Sequence, residues 1–270
     1  MKTAMKTTSL TLATVTVLLI TAVTSPAQDN STVFGTSKTS EAALIGIMYD
    51  LKQTQTHEPT SVDPERYTGV VDEFLASKWD ERVLNRYYRV SKPIYTTQIF
   101  VPNMNADEAP KAFGAEKMVK PSRWIIHYKG QVSAPSPGTY RFWGSADDAL
   151  AVAVNGITEL SGCRPDMHLR KTGWKQTGPN GARAANGSLH PGDWFTVGAN
   201  EIIDLDVIIG ERPGGEFNAF LMIEKKGESY QSDGEGHSIL PIFQVAPYQT
   251  PGGGGEPKFA VGYPVWKCCQ

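Results

Sequence analysis

The pattern of apolar positions predicts one strand and one helix in the first third of the chain. Residues 43–51 are apolar enough to enter a core as a strand, with a helix as the alternative. Asp63 can accept backbone hydrogen bonds as an N-cap, and Pro64 suits the first helical turn. The apolar positions that follow have helical spacing: Tyr67, Val70, Val71, Phe74 and Leu75. We expect this stripe to be core rather than a ligand site, so the helix docks on the rest of the chain.

The same period continues further along the chain and predicts either one broken helix or a second short helix. The positions that carry this continuation are Val83, Leu84, Tyr87 and Tyr88. We therefore predict an N-terminal extension with amphipathic helices over residues 28–110.

From residue 95 onward, apolar and polar positions alternate, as in half-buried strands. Stretches of this kind, bounded by Pro, Gly or Asn, cover 95–101, 124–128, 140–143 and 149–154. Asn155-Gly156 is the dipeptide that a two-residue hairpin turn requires. A later pair of strands flanks a turn at residues 213–215, with inward positions at Ile203, Leu205, Val207, Ile209, Phe217, Ala219, Leu221 and Ile223. The fold class is therefore mainly β, an antiparallel sandwich or barrel over residues 111–245.

Two segments show neither the helical spacing nor the alternation of apolar and polar positions. Residues 163–193 are rich in Gly, Asn and Arg, which predicts a long loop and a candidate binding element. Four consecutive glycines at 252–255 predict a flexible connector within the C-terminal segment 246–270. We expect the apolar tail at 259–266 to return and pack on the β domain.

The N-terminus has the features of a secretory signal. Lys2 and Lys6 precede an uncharged stretch at 10–23, and residues 25–27 are Ser-Pro-Ala. The alternative is an uncleaved anchor, although four threonines make that stretch a poor lipid-facing helix. We predict cleavage after residue 27 and a bacterial protein that is secreted, periplasmic or on the cell surface, with no stable membrane span after cleavage.

Composition narrows the class of partner. The 270 residues are 40% hydrophobic and 20% charged, as in a globular protein, and the formal net charge is −2. This charge predicts no broad cationic surface for nucleic acid. Cys163, Cys268 and Cys269 are too few for a disulfide scaffold, and a single disulfide from Cys163 to the tail stays open. Cys163 and His168 form at most half of a zinc site.

Motifs for catalysis are missing from the sequence. It contains no Gly-x-Ser-x-Gly elbow, no phosphate-binding Gly-Lys-Ser/Thr loop and no His-Glu-x-x-His pair, and its five histidines are scattered. A carboxylate pair for glycoside cleavage stays open, because its spacing is set in space. We predict a protein that is not an enzyme.

One stretch carries a resemblance to a known family. Residues 138–148 read Gly-Thr-Tyr-Arg-Phe-Trp-Gly-Ser-Ala-Asp-Asp, and an alternating strand and an Asn-Gly turn follow. With Trp-Ile-Ile-His-Tyr-Lys-Gly-Gln at 124–131 and the strands at 204–227, this resembles the signature of the PA14 domain family over about residues 120–227. The resemblance implies a β module of bacterial toxins, adhesins and glycosidases that often binds carbohydrate or protein.

The resemblance also implies candidate site residues. In sugar-binding members, two adjacent aspartates joined by a cis peptide bind Ca²⁺, which in turn binds sugar hydroxyls; Asp147 and Asp148 occupy those positions. The family also uses an asparagine, for which Asn180, Asn186 and Asn218 are available. In the alternative, the two aspartates cap a turn without metal.

We predict different environments for two tryptophans. Trp174 in the long loop is a candidate to stack on a sugar. Trp194 begins a strand and is expected in the core.

Together these features predict an exported, non-catalytic module for Ca²⁺-assisted binding of a glycan or cell-surface polysaccharide. The alternative is a metal-free structural or protein-interaction domain whose helical leader docks a protein partner.

Overall fold

The fold is mainly β, as predicted. The computed structural model describes residues 31–169, 181–184, 187–247 and 256–269. The helices of this part are α1 (Pro64–Ala76) and α2 (Glu108–Ala112). Its strands are β1 (Ser31–Thr32), β2 (Gly35–Thr36), β3 (Leu44–Asp50), β4 (Tyr88–Arg89), β5 (Ile94–Thr96), β6 (Phe100–Asn105), β7 (Trp124–Ser133), β8 (Gly138–Ala146), β9 (Ala149–Val154), β10 (Ile157–Ser161), β11 (Arg183–Ala184), β12 (Gly187–Ser188), β13 (His190–Pro191), β14 (Phe195–Val197), β15 (Ile202–Glu211), β16 (Glu216–Lys225) and β17 (Lys267–Cys268).

Two antiparallel sheets pack face to face. The larger has the order β1-β2-β5-β3-β7-β15-β9-β10, with β17 on β7 and β4 on β3. The smaller has the order β13-β8-β16-β6, with β14 on β8. The Asn155-Gly156 prediction is confirmed, since φ is 51° and 74° at these residues and β9 pairs with β10 around them.

Two of the places where the chain crosses between the sheets form neighbouring corners. The first lies between β8 of the smaller sheet and β9 of the larger, at Asp147-Asp148. The second lies between β15 of the larger sheet and β16 of the smaller, at residues 212–215. The backbone N–H of Asp147 donates to the carbonyl of Asn218 in β16 at 3.0 Å, so the two corners are adjacent.

Strand β9 shows why α1 lies where it does. Leu150, Val152 and Val154 belong to the core between the sheets, whereas the alternate positions face α1 with alanine only: Ala149, Ala151 and Ala153. Small side chains on this face let the helix approach the sheet. The apolar stripe predicted for α1 is buried there, as expected.

Helix α1 begins as the sequence predicts but is not followed by a second helix of the predicted length. Asp63 Oδ1 accepts a hydrogen bond from the N–H of Arg66 at 2.8 Å. After α1, Lys78 and Trp79 have positive φ, and only a short 3-10 turn at Leu84–Arg86 precedes β4. The helical prediction is therefore met only at Leu84–Arg86. It was wrong at Tyr88, because this residue pairs with Asp50 of β3, and the sheet pairing overrides the local helical period.

The N-terminal segment is built into both sheets. Strand β3 lies between β5 and β7 in the larger sheet, and β6 pairs with β16 in the smaller. The predicted boundary at residue 110 therefore falls between strands that share sheets. Within the described residues, neither α1 nor α2 is long and apolar enough to cross a membrane.

The described part of the tail returns to the sheets, as expected. Trp266 is buried and packs against Tyr140, Phe195 and Phe243. Strand β17 pairs with Val132 and Ser133 of β7.

Cys163 and Trp194 occupy different environments. Cys163 is buried and packs with the α1 cluster, and its disulfide to the tail stays a prediction. The expectation of a core Trp194 was wrong: its side chain is 38% exposed. Phe195 and Val197 take the inward positions of β14 instead.

We predict that Phe74→Ala lowers the free energy of unfolding by about 3–5 kcal/mol, as for buried aromatic residues elsewhere. Phe74 is fully buried against Trp79 and His127, so the whole β fold loses stability with the helix. Denaturant unfolding followed by tryptophan fluorescence and by circular dichroism measures this, with exposed Arg66→Ala as the control. Separate transitions for the two probes would contradict docking of α1 as part of one unit.

Candidate functional site

The two aspartates singled out by the sequence form the first corner between the sheets. The peptide bond between Asp147 and Asp148 is cis, as the family resemblance implies. Asp148 is fully buried and Asp147 is 9% exposed. Burial raises the pKa of both carboxyls, while nearby arginines act in the opposite direction.

Arg212, at the second corner, contacts both oxygens of Asp148. Its backbone N–H donates to Oδ2 at 2.8 Å. Its Nη2 lies 3.1 Å from Oδ1, an ion-pair distance without hydrogen-bond alignment. The side chain of Arg212 is itself largely buried, so solvent screens this pair less than a surface pair.

Arg164, in the loop after β10, contacts both aspartates. Its Nη1 donates to Oδ1 of Asp147 at 3.0 Å, and its backbone N–H donates to the carbonyl of Asp148 at 2.7 Å. Asp166 joins the two arginines: its Oδ2 lies 2.7 Å from Nη2 of Arg212, and its Oδ1 lies 3.7 Å from Nε of Arg164. The corner is therefore a network of aspartates and arginines from three chain segments.

Glu211 adds a third buried carboxyl beside the corner. Its Oε1 accepts a hydrogen bond from the N–H of Gly214 at 2.7 Å, and its Oε2 has no hydrogen-bond partner among the described residues. Burial, followed by the charge of Asp148, raises the pKa of Glu211 to about 8.

Helix α1 reaches this part of the larger sheet through Tyr67. The hydroxyl of Tyr67 donates to the carbonyl of Trp124 at 3.2 Å, and burial raises the pKa of that hydroxyl, with Asp148 and Glu211 adding to the effect. A Cβ at position 210 would lie 2.1 Å from the Tyr67 hydroxyl, so Gly210 is required for the helix to come this close.

An open depression lies between α1, the loop after β10 and the second corner. Its volume is about 700 Å³, and it is lined by Pro64, Glu65, Thr68, Gly69, Asp72, Asp166, His168, Arg212 and Pro213. Asp166 and Arg212 therefore belong both to the network behind the corner and to a surface that a ligand can reach.

Sequence reasoning found the aspartates but missed the charged residues around them. Only the fold brings together the segments that carry these charged residues, which are Arg164, Asp166, Glu211 and Arg212. The one signal available in the sequence was the Glu-Arg pair that ends an apolar strand before a Gly-Gly turn. Asn218 lies beside the corner, and its Nδ2 donates to Oδ1 of Asn103 at 3.4 Å.

Three residues singled out by the sequence cannot be placed. The stacking candidate Trp174 and the asparagines Asn180 and Asn186 lie outside the described residues.

The corner offers carboxylate oxygens, which calcium binds, but arginines already contact these oxygens. Ca²⁺ binds about six to eight oxygens, and carboxylates are among its ordinary ligands. In the described ranges, no group of three or more His, Cys, Asp or Glu residues is placed to hold a metal ion. Because arginines contact the oxygens of Asp147 and Asp148, the residues as arranged do not fit a Ca²⁺ site. Calcium binding at these aspartates stays a prediction.

Comparison with known proteins finds likeness in structure only. No family model and no curated protein matches the sequence. Solved PA14 domains resemble the chain. The PA14 sugar-binding domain from an RTX adhesin has a TM-score of 0.44 at 14% identity, covering 75% of this chain and 95% of that one. The PA14 domain of the MpAFP antifreeze protein has a TM-score of 0.41 at 18% identity, covering 75% and 90%.

A yeast adhesin domain is also similar. The epithelial adhesin 6 A domain from Candida glabrata, in complex with Galb1-3GlcNAc, has a TM-score of 0.37 at 12% identity and covers 77% of this chain and 90% of that one.

We predict that Glu211→Gln makes stability less dependent on pH. A folded-state pKa of about 8, against 4.5 ordinarily, means that the folded protein keeps a proton that the unfolded chain loses. Stability therefore falls as pH rises from 4.5 to 8. Glutamine retains an acceptor for Gly214 and removes the buried charge, so the variant gains on the order of 1 kcal/mol at pH 8 and little at pH 5.

Thermal unfolding of both proteins across this pH range measures the effect. Glu201→Gln is the matched control, because Glu201 also accepts an N–H from a glycine, Gly198, but is exposed. Parallel pH profiles for the wild type and Glu211→Gln would show that Glu211 is not the group responsible.

Proposed function

We propose that the protein is an exported, non-catalytic module that binds glycans at the cell surface or outside the cell. The binding surface in this proposal is the depression between α1, the loop after β10 and the second corner. Export follows from the N-terminal signal in the sequence, with residues 1–27 removed.

The observation that carries the proposal is the Asp166–Arg212 pair in the wall of the depression. Carboxylates accept hydrogen bonds from hydroxyls, and guanidinium groups donate to hydroxyl oxygens, so a fixed acid–base pair matches adjacent sugar hydroxyls. The ion pair at 2.7 Å holds both groups in place before a ligand arrives. The depression, at about 700 Å³, falls within the range of small-molecule sites.

The alternative, a helical leader that docks a protein partner, has less support. Such a helix needs an apolar face to present, and the apolar face of α1 is already covered by the larger sheet. Its remaining surface is polar, as in residues such as Glu65 and Arg66.

We also propose that Asp147 and Asp148 do not cleave a bound glycan. Glycoside hydrolysis needs two carboxyl groups that reach the glycosidic bond. Asp148 is buried and Asp147 nearly so, and each contacts an arginine. We therefore expect Asp147 and Asp148 to release no reducing sugar from a glycan that the protein retains.

A glycan array with wild type and Gly69→Trp tests the site. Gly69 is exposed on α1 and lines the depression, and a Cβ placed there meets no atom within 4 Å. The indole should occupy the depression without disturbing the core, and we expect it to weaken glycan binding by about tenfold or more. Ala76→Trp, exposed on the same helix outside the depression, is the control and should bind as the wild type does.

The array is run with Ca²⁺ and with chelator, because calcium assistance stays a prediction of the sequence. Absence of any retained glycan for the wild type would overturn the proposed function. Equal binding by wild type and Gly69→Trp would overturn the proposed site.

A further inference from the structure

The positive charge at the corner comes from the chain itself. Arg212 binds both oxygens of the fully buried Asp148, one through its backbone N–H and the other through its guanidinium group. A buried carboxylate without a cation is strongly unfavourable, so this position needs a positive partner.

Arg164 supplies the second positive charge. Its guanidinium group binds the side chain of Asp147, and its backbone N–H binds the main-chain carbonyl of Asp148. Both are kinds of oxygen that Ca²⁺ would also take. Its side chain is 48% exposed, against 15% for Arg212, so Arg212 is the inner cation and Arg164 the outer one.

The charges match those of a metal site. Two guanidinium groups carry the same charge as one divalent ion, and Asp166 holds them together through contacts with both. Unlike a metal ion, a guanidinium group offers directed donors that fit carboxylates, and it does not exchange with solvent ions.

We infer that the guanidinium groups of Arg212 and Arg164 take the place of a divalent cation at the Asp147-Asp148 corner. The corner therefore forms and keeps its stability without Ca²⁺. This inference concerns the cation and holds for any ligand; its consequence for the proposed function is that a glycan meets aspartate–arginine pairs and binds equally well in chelator.

The test is a calcium titration of the whole mature protein by calorimetry, together with thermal unfolding in Ca²⁺ and in chelator. We expect no heat of binding and the same Tm in both conditions. A saturable heat that Asp148→Asn removes, or a Tm that rises with Ca²⁺, overturns the inference. The comparison of Tm in Ca²⁺ and in chelator needs only the wild-type protein.

Substitution of the arginines tests whether their guanidinium groups act as the cations of the corner. Arg212→Gln leaves a buried carboxylate without its cation, and we expect Tm to fall by about 5 °C or more. Ca²⁺ should restore part of this loss, since Oδ1 of Asp148 then has no cation beside it, although the backbone N–H of residue 212 still donates to Oδ2. Arg164→Gln, at a half-exposed position, should fold and lose less.

Arg86→Gln is the matched control, because Arg86 pairs with Glu73 at 3.1 Å on the surface. Its Tm should change by no more than about 2 °C. An equal, small change for Arg212→Gln and Arg86→Gln would overturn the role assigned to Arg212. Because these readouts contain no sugar, they are independent of the glycan array.

Discussion

The burial of the Asp148 carboxylate is the constraint on which the rest of the site depends. Taking a carboxylate out of water costs several kcal/mol unless a cation and hydrogen bonds replace its hydration. Arg212 provides both from the neighbouring corner, and the backbone N–H of Arg164 donates to the carbonyl of Asp148. One buried charge thus joins the β8–β9 corner, the loop after β10 and the end of β15.

The second constraint is the close approach of α1 to the larger sheet. Alanines on the outer face of β9 and the missing side chain at Gly210 leave room for the helix, and Tyr67 makes a hydrogen bond to the sheet backbone. The helix is thereby held as one wall of the depression, with the Asp166–Arg212 pair in the opposite wall. A segment that looks like an appendage in the sequence therefore shapes the proposed binding surface.

Sequence reasoning succeeded where the determining contacts are local. The Asp63 cap, the apolar stripe of α1, the alternation in β9 and β15 and the Asn155-Gly156 turn each depend on residues a few positions apart. It failed at Tyr88, where pairing with Asp50 decides the structure, and at Trp194, where the inward positions of β14 go to its neighbours. The aspartates were found through a family resemblance, but their arginine partners lie 17 and 64 positions away along the chain. Arg164 reaches them from the loop after β10 and Arg212 from the second corner.

The central claim is that Asp148 and Arg212 stabilise each other across the two corners. A double-mutant cycle of Asp148→Asn and Arg212→Gln, with unfolding free energies measured in chelator, tests it most directly. We predict a coupling energy of about 1–3 kcal/mol, in the range of residues that share one ion-pair network. Additivity of the two substitutions to within about 0.5 kcal/mol would contradict the account.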